Sequence, residues 1–280
     1  FVILHIIMSS LWNRFKKTLG PGLITGIVDD DPSGIATYAQ TGAIFGLGQL
    51  WLTLYAIPFM VAVQEMCARI GIVTGKGLAA NIKTRFSKKI LVLVTMLLFF
   101  ANTLNIAADL GAMAEAVQLL IPKANNIFII VLFAFSTLLL QIYTTYARYA
   151  KYLKYAGLTL LAYVVSAILA NLDWSAIAVA ARTPQISFSK ESLFLICAIL
   201  GTTISPYLFF WQTSQEVEEQ QLETKNSAPD TKKTLRRMRT DVWSGMFFSN
   251  AIMFFIIAAC AGVLHQNGIT NITSAAQAAD

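Results

Sequence analysis

Charge is the scarcest ingredient of this chain. Only 13% of its 280 residues are Asp, Glu, Lys or Arg, where a soluble domain carries about a quarter. That shortage excludes a surface wholly turned to water, and the 56% hydrophobic content means most of the chain meets lipid or other apolar helices. Histidine is nearly missing too. His5 and His265 both lie outside the apolar runs, so neither is placed to relay protons. The three cysteines, Cys67, Cys197 and Cys260, fall inside apolar runs and imply no disulfide framework. No phosphate-binding Gly loop, nucleophile elbow or zinc spacing appears, so the sequence reads as no enzyme and calls for no cofactor. Short alternating segments, which would mark a β-barrel, are absent as well.

Long apolar runs are what the chain does have. Stretches able to span a bilayer recur at roughly 22–45, 48–72, 90–120, 126–145, 155–172, 191–213 and 243–264. The expected fold class is therefore an all-α polytopic membrane protein of seven spans. The formal net charge is +6, yet the basic residues follow topology rather than a nucleic-acid footprint. With the N-terminus inside, the internal segments gather Arg14, Lys16 and Lys17, the Arg69–Lys89 group, Arg148, Lys151 and Lys154, and the Lys225–Arg239 group. Only Lys123, Arg182 and Lys190 remain outside, which predicts a cytoplasmic N-terminus in the inner membrane of a bacterium. The mixed polar segment from Ser214 to Thr240 reads as a solvated internal loop with helical pieces, turning at Asn226–Asp230. Asn171–Lys190 reads as an external loop, and Asn271-Ile272-Thr273 is a weak sequon. The chain opens Phe1-Val2-Ile3, with Met8 before a plausible start, and Ser274–Asp280 looks like the approach to a further helix. A piece of a longer protein is expected.

Two of the spans carry helix breakers. The first is interrupted at Asp31-Pro32-Ser33-Gly34 and the sixth at Gly201-Thr202-Thr203-Ile204-Ser205-Pro206. Asp31 lies 14 residues beyond Lys17, about 21 Å up a helix at about 1.5 Å per residue. A carboxylate at that depth is expensive in lipid and marks a functional site by default. Non-helical backbone there needs protein or a watery cavity around it. Five crossings separate the breaks, so the two spans enter from opposite sides, as in inverted-repeat transporters with cargo bound between broken helices. Thr202, Thr203 and Ser205 add hydroxyls, and Pro206 frees carbonyls, although such hydroxyls also cap broken ends in plain structural roles. The ligands on offer are all hard oxygen, which suits Mg²⁺, Ca²⁺ or Mn²⁺. Asp29 and Asp30 read as vestibule charges or polar caps.

The third span adds a polar stripe, Asn102, Asn105 and Asp109, with Glu115 beyond it. A stripe at this spacing faces the bundle interior, either lining a route or hydrogen-bonding between helices. Glu65 and Arg69 sit at i, i+4 and read as an ion pair, while Gly42/Gly46 and Gly71/Gly75 read as close helix contacts.

Gly20-Pro21-Gly22-Leu23-Ile24-Thr25-Gly26, Asp31-Pro32-Ser33-Gly34, Gln64 through Leu78 and Gly201 through Tyr207 together resemble the Nramp family of divalent metal transporters. The resemblance implies a LeuT-type fold of two inverted five-helix repeats and about eleven spans. The segment 1–19 would be a cytoplasmic lead, 20–172 the first repeat, 173–190 an external loop, and 191–280 the start of the second. Three departures stand out. The family's Asp-Pro-Gly-Asn is here Asp31-Pro32-Ser33-Gly34, without the asparagine ligand. Its Ala-x-x-Met-Pro-His is here Thr202-Thr203-Ile204-Ser205-Pro206-Tyr207, so thioether and histidine become Ser205 and Tyr207. Its Asp-Leu-Ala-Glu resembles Asp109-Leu110-Gly111-Ala112, which lacks an acid associated with proton movement.

These departures resemble the Nramp-related magnesium transporter branch, which moves Mg²⁺ as well as Mn²⁺ without evident proton coupling. A plant branch with partly similar changes carries aluminium. The resemblance implies that Asp31 supplies charge, Thr202 and Gly34 offer carbonyls, and Ser205 contacts the ion or its waters. Ser33, Asp30, Asn105, Asp109 and Tyr207 would form the surroundings or the pathway. The cargo would be Mg²⁺ or Mn²⁺ and the environment a lipid bilayer. Other readings are a proton-coupled Mn²⁺/Fe²⁺ transporter, a sodium-coupled organic solute symporter, and a non-transporting membrane protein.

Overall fold

Proline placement decides where the first span breaks. The computed structural model describes residues 20–144, 152, 153, 155–170, 172–224 and 231–270. In it α1 runs Pro21–Asp29 and α2 runs Pro32–Phe45, separated by Asp30 and Asp31 alone. A residue before proline is pushed out of the helical region, and Asp31 is extended at φ −75°, ψ 167°. Proline itself is at home in a first helical turn, so Pro32, Ser33 and Gly34 begin α2 rather than belonging to the break. The interruption is therefore shorter than expected and sits one residue earlier.

The second break follows the same rule. Helix α9 spans Lys190–Thr203 and α10 spans Pro206–Thr224. Ile204 and Ser205 lie between, while Gly201, Thr202 and Thr203 stay helical.

The other helices are α3 (Leu52–Thr74), α4 (Leu78–Arg85), α5 (Lys88–Leu120), α6 (Asn126–Tyr143), α7 (Leu161–Leu169) after a 3₁₀ turn at Gly157–Leu160, α8 (Trp174–Arg182) and α11 (Thr231–Cys260). A π-helical turn, Ala261–His265, extends α11. No strand occurs among the described residues. Five segments there are long and apolar enough to cross a membrane: α3, α5, α6, Lys190–Gln221 and Thr231–His265. A sixth is possible if the bent pair Gly157–Leu169 and Trp174–Arg182 counts as one span. Halves α1 and α2 have 9 and 14 residues, so neither crosses alone.

Several expectations change. The segment 171–190 is not all loop, because Asp173 accepts from the Ser175 and Ala176 amides and starts α8. The polar segment 214–240 is mostly the ends of α10 and α11. His265 belongs to the last helix, its Nδ1 lying 2.8 Å from the Ala43 carbonyl oxygen. The basic residues of 1–19 and 145–154, Lys225, His5, Met8, the Asn226–Asp230 turn, the 271–273 sequon and Ser274–Asp280 lie outside the described residues.

Helix α11 organises the packing, lying chiefly against α1 and α3 and then against α2 and α7. Its Ile252, Met253, Ile256 and Ile257 join Tyr38 and Ile199 in one buried cluster, while Met238, Val242 and Met246 join Met60, Val61 and Ile72 in another. The α1–α11 crossing is closest at glycine. A Cβ on Gly26 would collide with the Gly245 backbone, and one on Gly22 would stand 2.7 Å from the Val242 nitrogen. Gly42 and Gly71 meet α11 and α10 as expected, whereas Gly75 caps α3 at φ +64°, with nothing within 4 Å of where its Cβ would stand. The Glu65–Arg69 pair forms at 2.6 Å, with Arg239 a second partner of Glu65 at 3.4 Å. By contrast α5 buries only Ala114 and leaves Phe99, Phe100 and Leu104 exposed, a surface suited to lipid or further apolar helices.

Candidate metal site at the two breaks

Asp31 occupies the N-cap of α2, where the free amides of a first turn favour an anion. Its Oδ1 accepts from the Gly34 amide at 2.7 Å and from Ser33 Oγ at 2.8 Å. Its Oδ2 accepts from Asn105 Nδ2 at 3.0 Å and from the Tyr207 hydroxyl at 3.1 Å. Four donors from three elements thus hold one carboxylate. Tyr207 belongs to the first turn of α10, so this bond joins the two broken spans at Asp31. Gly34 turns its amide, rather than its carbonyl, toward the acid. A Cβ there would stand 3.2 Å from Asp31 Oδ1 and 3.5 Å from the Tyr38 hydroxyl, which keeps the space above the carboxylate free.

At the second break, Thr202 is the residue whose carbonyl would bond the amide four positions on, and that position is Pro206. No such amide exists. Ser205 Oγ takes the vacancy, donating toward the Thr202 carbonyl at 2.5 Å and lying 2.9 Å from the Gly201 carbonyl. The Thr202 and Thr203 hydroxyls bond back to the Ile199 carbonyl at 3.1 and 2.8 Å. All three hydroxyl protons therefore cap the end of α9. The Thr202 hydroxyl oxygen also lies 3.5 Å from the Tyr38 hydroxyl.

Asn105 and Asp109 are drawn into the same network. Asn105 Nδ2 lies 3.0 Å from Asp109 Oδ2 as well as from Asp31 Oδ2, so one amide bridges two acids. Asp109 Oδ1 accepts from the Ser33 amide at 3.1 Å, and Ser33 Oγ is 3.1 Å from Asn105 Oδ1. The interhelical role weighed for the asparagines is what Asn105 performs. Asn102 and Glu115, farther along α5 in either direction, are not among the side-chain partners of Asp31 or Asp109.

Asp29 ends α1 and Asp30 is its C-cap, so their place at a helix end is as expected, but they are not open vestibule charges. They are 1% and 5% exposed and turn to α11, where Ser249 Oγ lies 2.7 Å from Asp29 Oδ2 and 3.3 Å from Asp30 Oδ1. Among the described residues no group of three or more His, Cys, Asp or Glu side chains is arranged to hold a metal. A cation at Asp31 would therefore have one carboxylate, with amide, hydroxyl and carbonyl oxygens and water around it.

Three contributors escaped the sequence reading. Tyr38 is fully buried one turn past Gly34, and its hydroxyl is 3.5 Å from Thr202 Oγ1, a second link between the broken spans. Its signal was the spacing of four from Gly34. Asp241 caps α1 from α11: Oδ1 accepts from the Gly20 amide at 2.9 Å and Leu23 at 3.3 Å, and Oδ2 from Gly22 at 2.6 Å. An acid at the edge of an apolar helix, after a basic cluster, was the clue to it. Ser249 gave no local signal at all.

Known proteins resemble this chain over most of its length. The chain is 28% identical over 267 residues to "Divalent metal cation transporter MntH" of Yersinia pestis (strain Pestoides F), covering 93% of this chain and 62% of that protein. It is 26% identical over 263 residues to the protein of the same name in Deinococcus radiodurans, covering 92% and 58%. It thus spans about three-fifths of the length of the relatives it matches. The model of the natural resistance-associated macrophage protein-like family matches residues 22–280, and the chain belongs to that family, Nramp.

Proposed function

We propose that the chain carries divalent metal cations across the membrane, Mg²⁺ foremost and Mn²⁺ also, by alternating access and without proton coupling. The observation that carries this reading is the 3.1 Å bond from Tyr207 to Asp31, which brings two helix breaks to one half-buried carboxylate. The printed name of the relatives supports a divalent metal cation as the class of cargo. The preference for Mg²⁺ rests on chemistry. Asp31, Ser33, Asn105, Thr202, Ser205 and Tyr207 present oxygen and no sulfur, and one carboxylate suits an ion that keeps much of its water. In this reading Asp31 binds the ion and the Thr202 carbonyl and Ser205 face it. Gly34 holds the acid in place through its amide, and Asp109 reaches the site only through Asn105 and Ser33.

The orientation follows from the charge bias, with the N-terminus in the cytoplasm of a bacterium and the protein in its inner membrane. Uptake is then driven by the membrane potential, worth about 2.3 kcal/mol per charge for each 100 mV. The test is Mg²⁺ uptake into proteoliposomes with a pH dye inside. Uptake with an unchanged lumen supports the reading. Acidification in proportion to metal entry would instead establish the proton-coupled Mn²⁺/Fe²⁺ reading, and a requirement for Na⁺ and an organic solute would establish a symporter.

A further inference from the structure

We propose that Asp29, Asp30 and Ser249 form a second cation site, separate from Asp31, that takes a hard divalent cation. Two adjacent carboxylates are buried between α1 and α11 at 1% and 5% exposure. No ion pair reaches either one among the described residues. Their shared partner is a single hydroxyl, Ser249 Oγ, which has one proton to give. Asp29 Oδ1 and Asp30 Oδ2 are buried with no hydrogen-bond partner.

Leaving even one such oxygen unsatisfied is costly, and an uncompensated buried charge costs more. Asp31, on the same turn of chain, shows the contrast, since it has four donors from three elements. The surroundings favour a cation from a second direction. Both acids stand at the C-terminal end of α1, where carbonyls lack amide partners and the helix dipole is negative. Two carboxylates and a hydroxyl are hard ligands, and their charge balances a divalent ion. The Asp29 carbonyl oxygen lies 3.4 Å from the place of a Cβ on Gly34, beside the Asp31 site, while its side chain turns to Ser249. The two sites therefore stand back to back across one turn of chain.

Equilibrium binding of Mn²⁺ to the purified chain in detergent, read by electron paramagnetic resonance of the free ion, tests the assignment. Two ions per chain are expected for the native sequence, one after Asp31→Asn, and one after the double change Asp29→Asn, Asp30→Asn. Ser249→Ala keeps both acids and should weaken the second ion about tenfold, equivalent to about 1.4 kcal/mol. Gel filtration identifies any variant that fails to fold, and Ser249→Ala then carries the test. A single ion abolished by Asp31→Asn but unaffected by the other changes would overturn the second site. A single ion that survives Asp31→Asn and vanishes with Asp29 and Asp30 would uphold it and overturn the Asp31 reading instead.

Discussion

Under the proposed function, Ser205 is where one atom type would set the choice of ion. Its hydroxyl caps the severed end of α9 through the Thr202 carbonyl, at the position where the family's motif has a thioether. If Ser205 faces the ion as proposed, an oxygen in place of a soft sulfur removes a ligand that would separate Mn²⁺ from Mg²⁺. Ser205→Met is therefore expected to raise the Mn²⁺ over Mg²⁺ preference about tenfold or more, measured as competition for uptake. An unchanged ratio would place Ser205 outside the ion's reach. Tyr207 departs from the family motif in a similar way. Its phenol holds Asp31 directly, which could not be read from the residue type alone because it depends on α10 approaching α2.

At the scale of elements, α1 depends on α11 at both ends. Asp241 caps its start, Ser249 meets its last residues, and glycine lets the axes touch between them. Asp241→Ala removes a charged acceptor from three amides at a 2% exposed position and should cost about 2 kcal/mol. Thermal unfolding in detergent measures the loss, and faster amide exchange at Gly22 and Leu23 locates it. Gly26→Ala should be worse than Gly111→Ala, since a Cβ at Gly26 meets backbone while one at Gly111 meets nothing within 4 Å. Overpacking of this kind costs about 1–3 kcal/mol or more. Equal stability of the two variants would contradict the close crossing.

The breaks themselves were legible because Asp31-Pro32 and Ser205-Pro206 carry their own stereochemical instruction. Their limits were misjudged by a few residues, since proline disturbs the residue before it more than those after it. Helix α8 was missed although Asp173 and Ser175 form a visible cap. The partners of Asp29, Asp30 and α1 were not legible, because residues more than 200 positions apart meet only through packing.

For the whole molecule, hydropathy gives a bundle of helices able to cross a membrane, and the proposed orientation puts most basic residues on one side. Helices α5 and α6 present broad apolar faces and few buried residues, as lipid-facing or helix-facing surfaces do. The topology predicts that an impermeant thiol reagent labels Lys83→Cys only from the cytoplasmic side and Lys123→Cys only from the outer side. Labelling of both from one side would invert or break the proposed crossing of α5. The most direct test concerns Asp31. Asp31→Asn keeps the size and the cap of α2 while removing the charge, so Mg²⁺ and Mn²⁺ uptake into proteoliposomes should fall by about a hundredfold or more, the scale of a lost charged contact of about 3 kcal/mol. Uptake that persists at the native rate would show that the ion passes elsewhere.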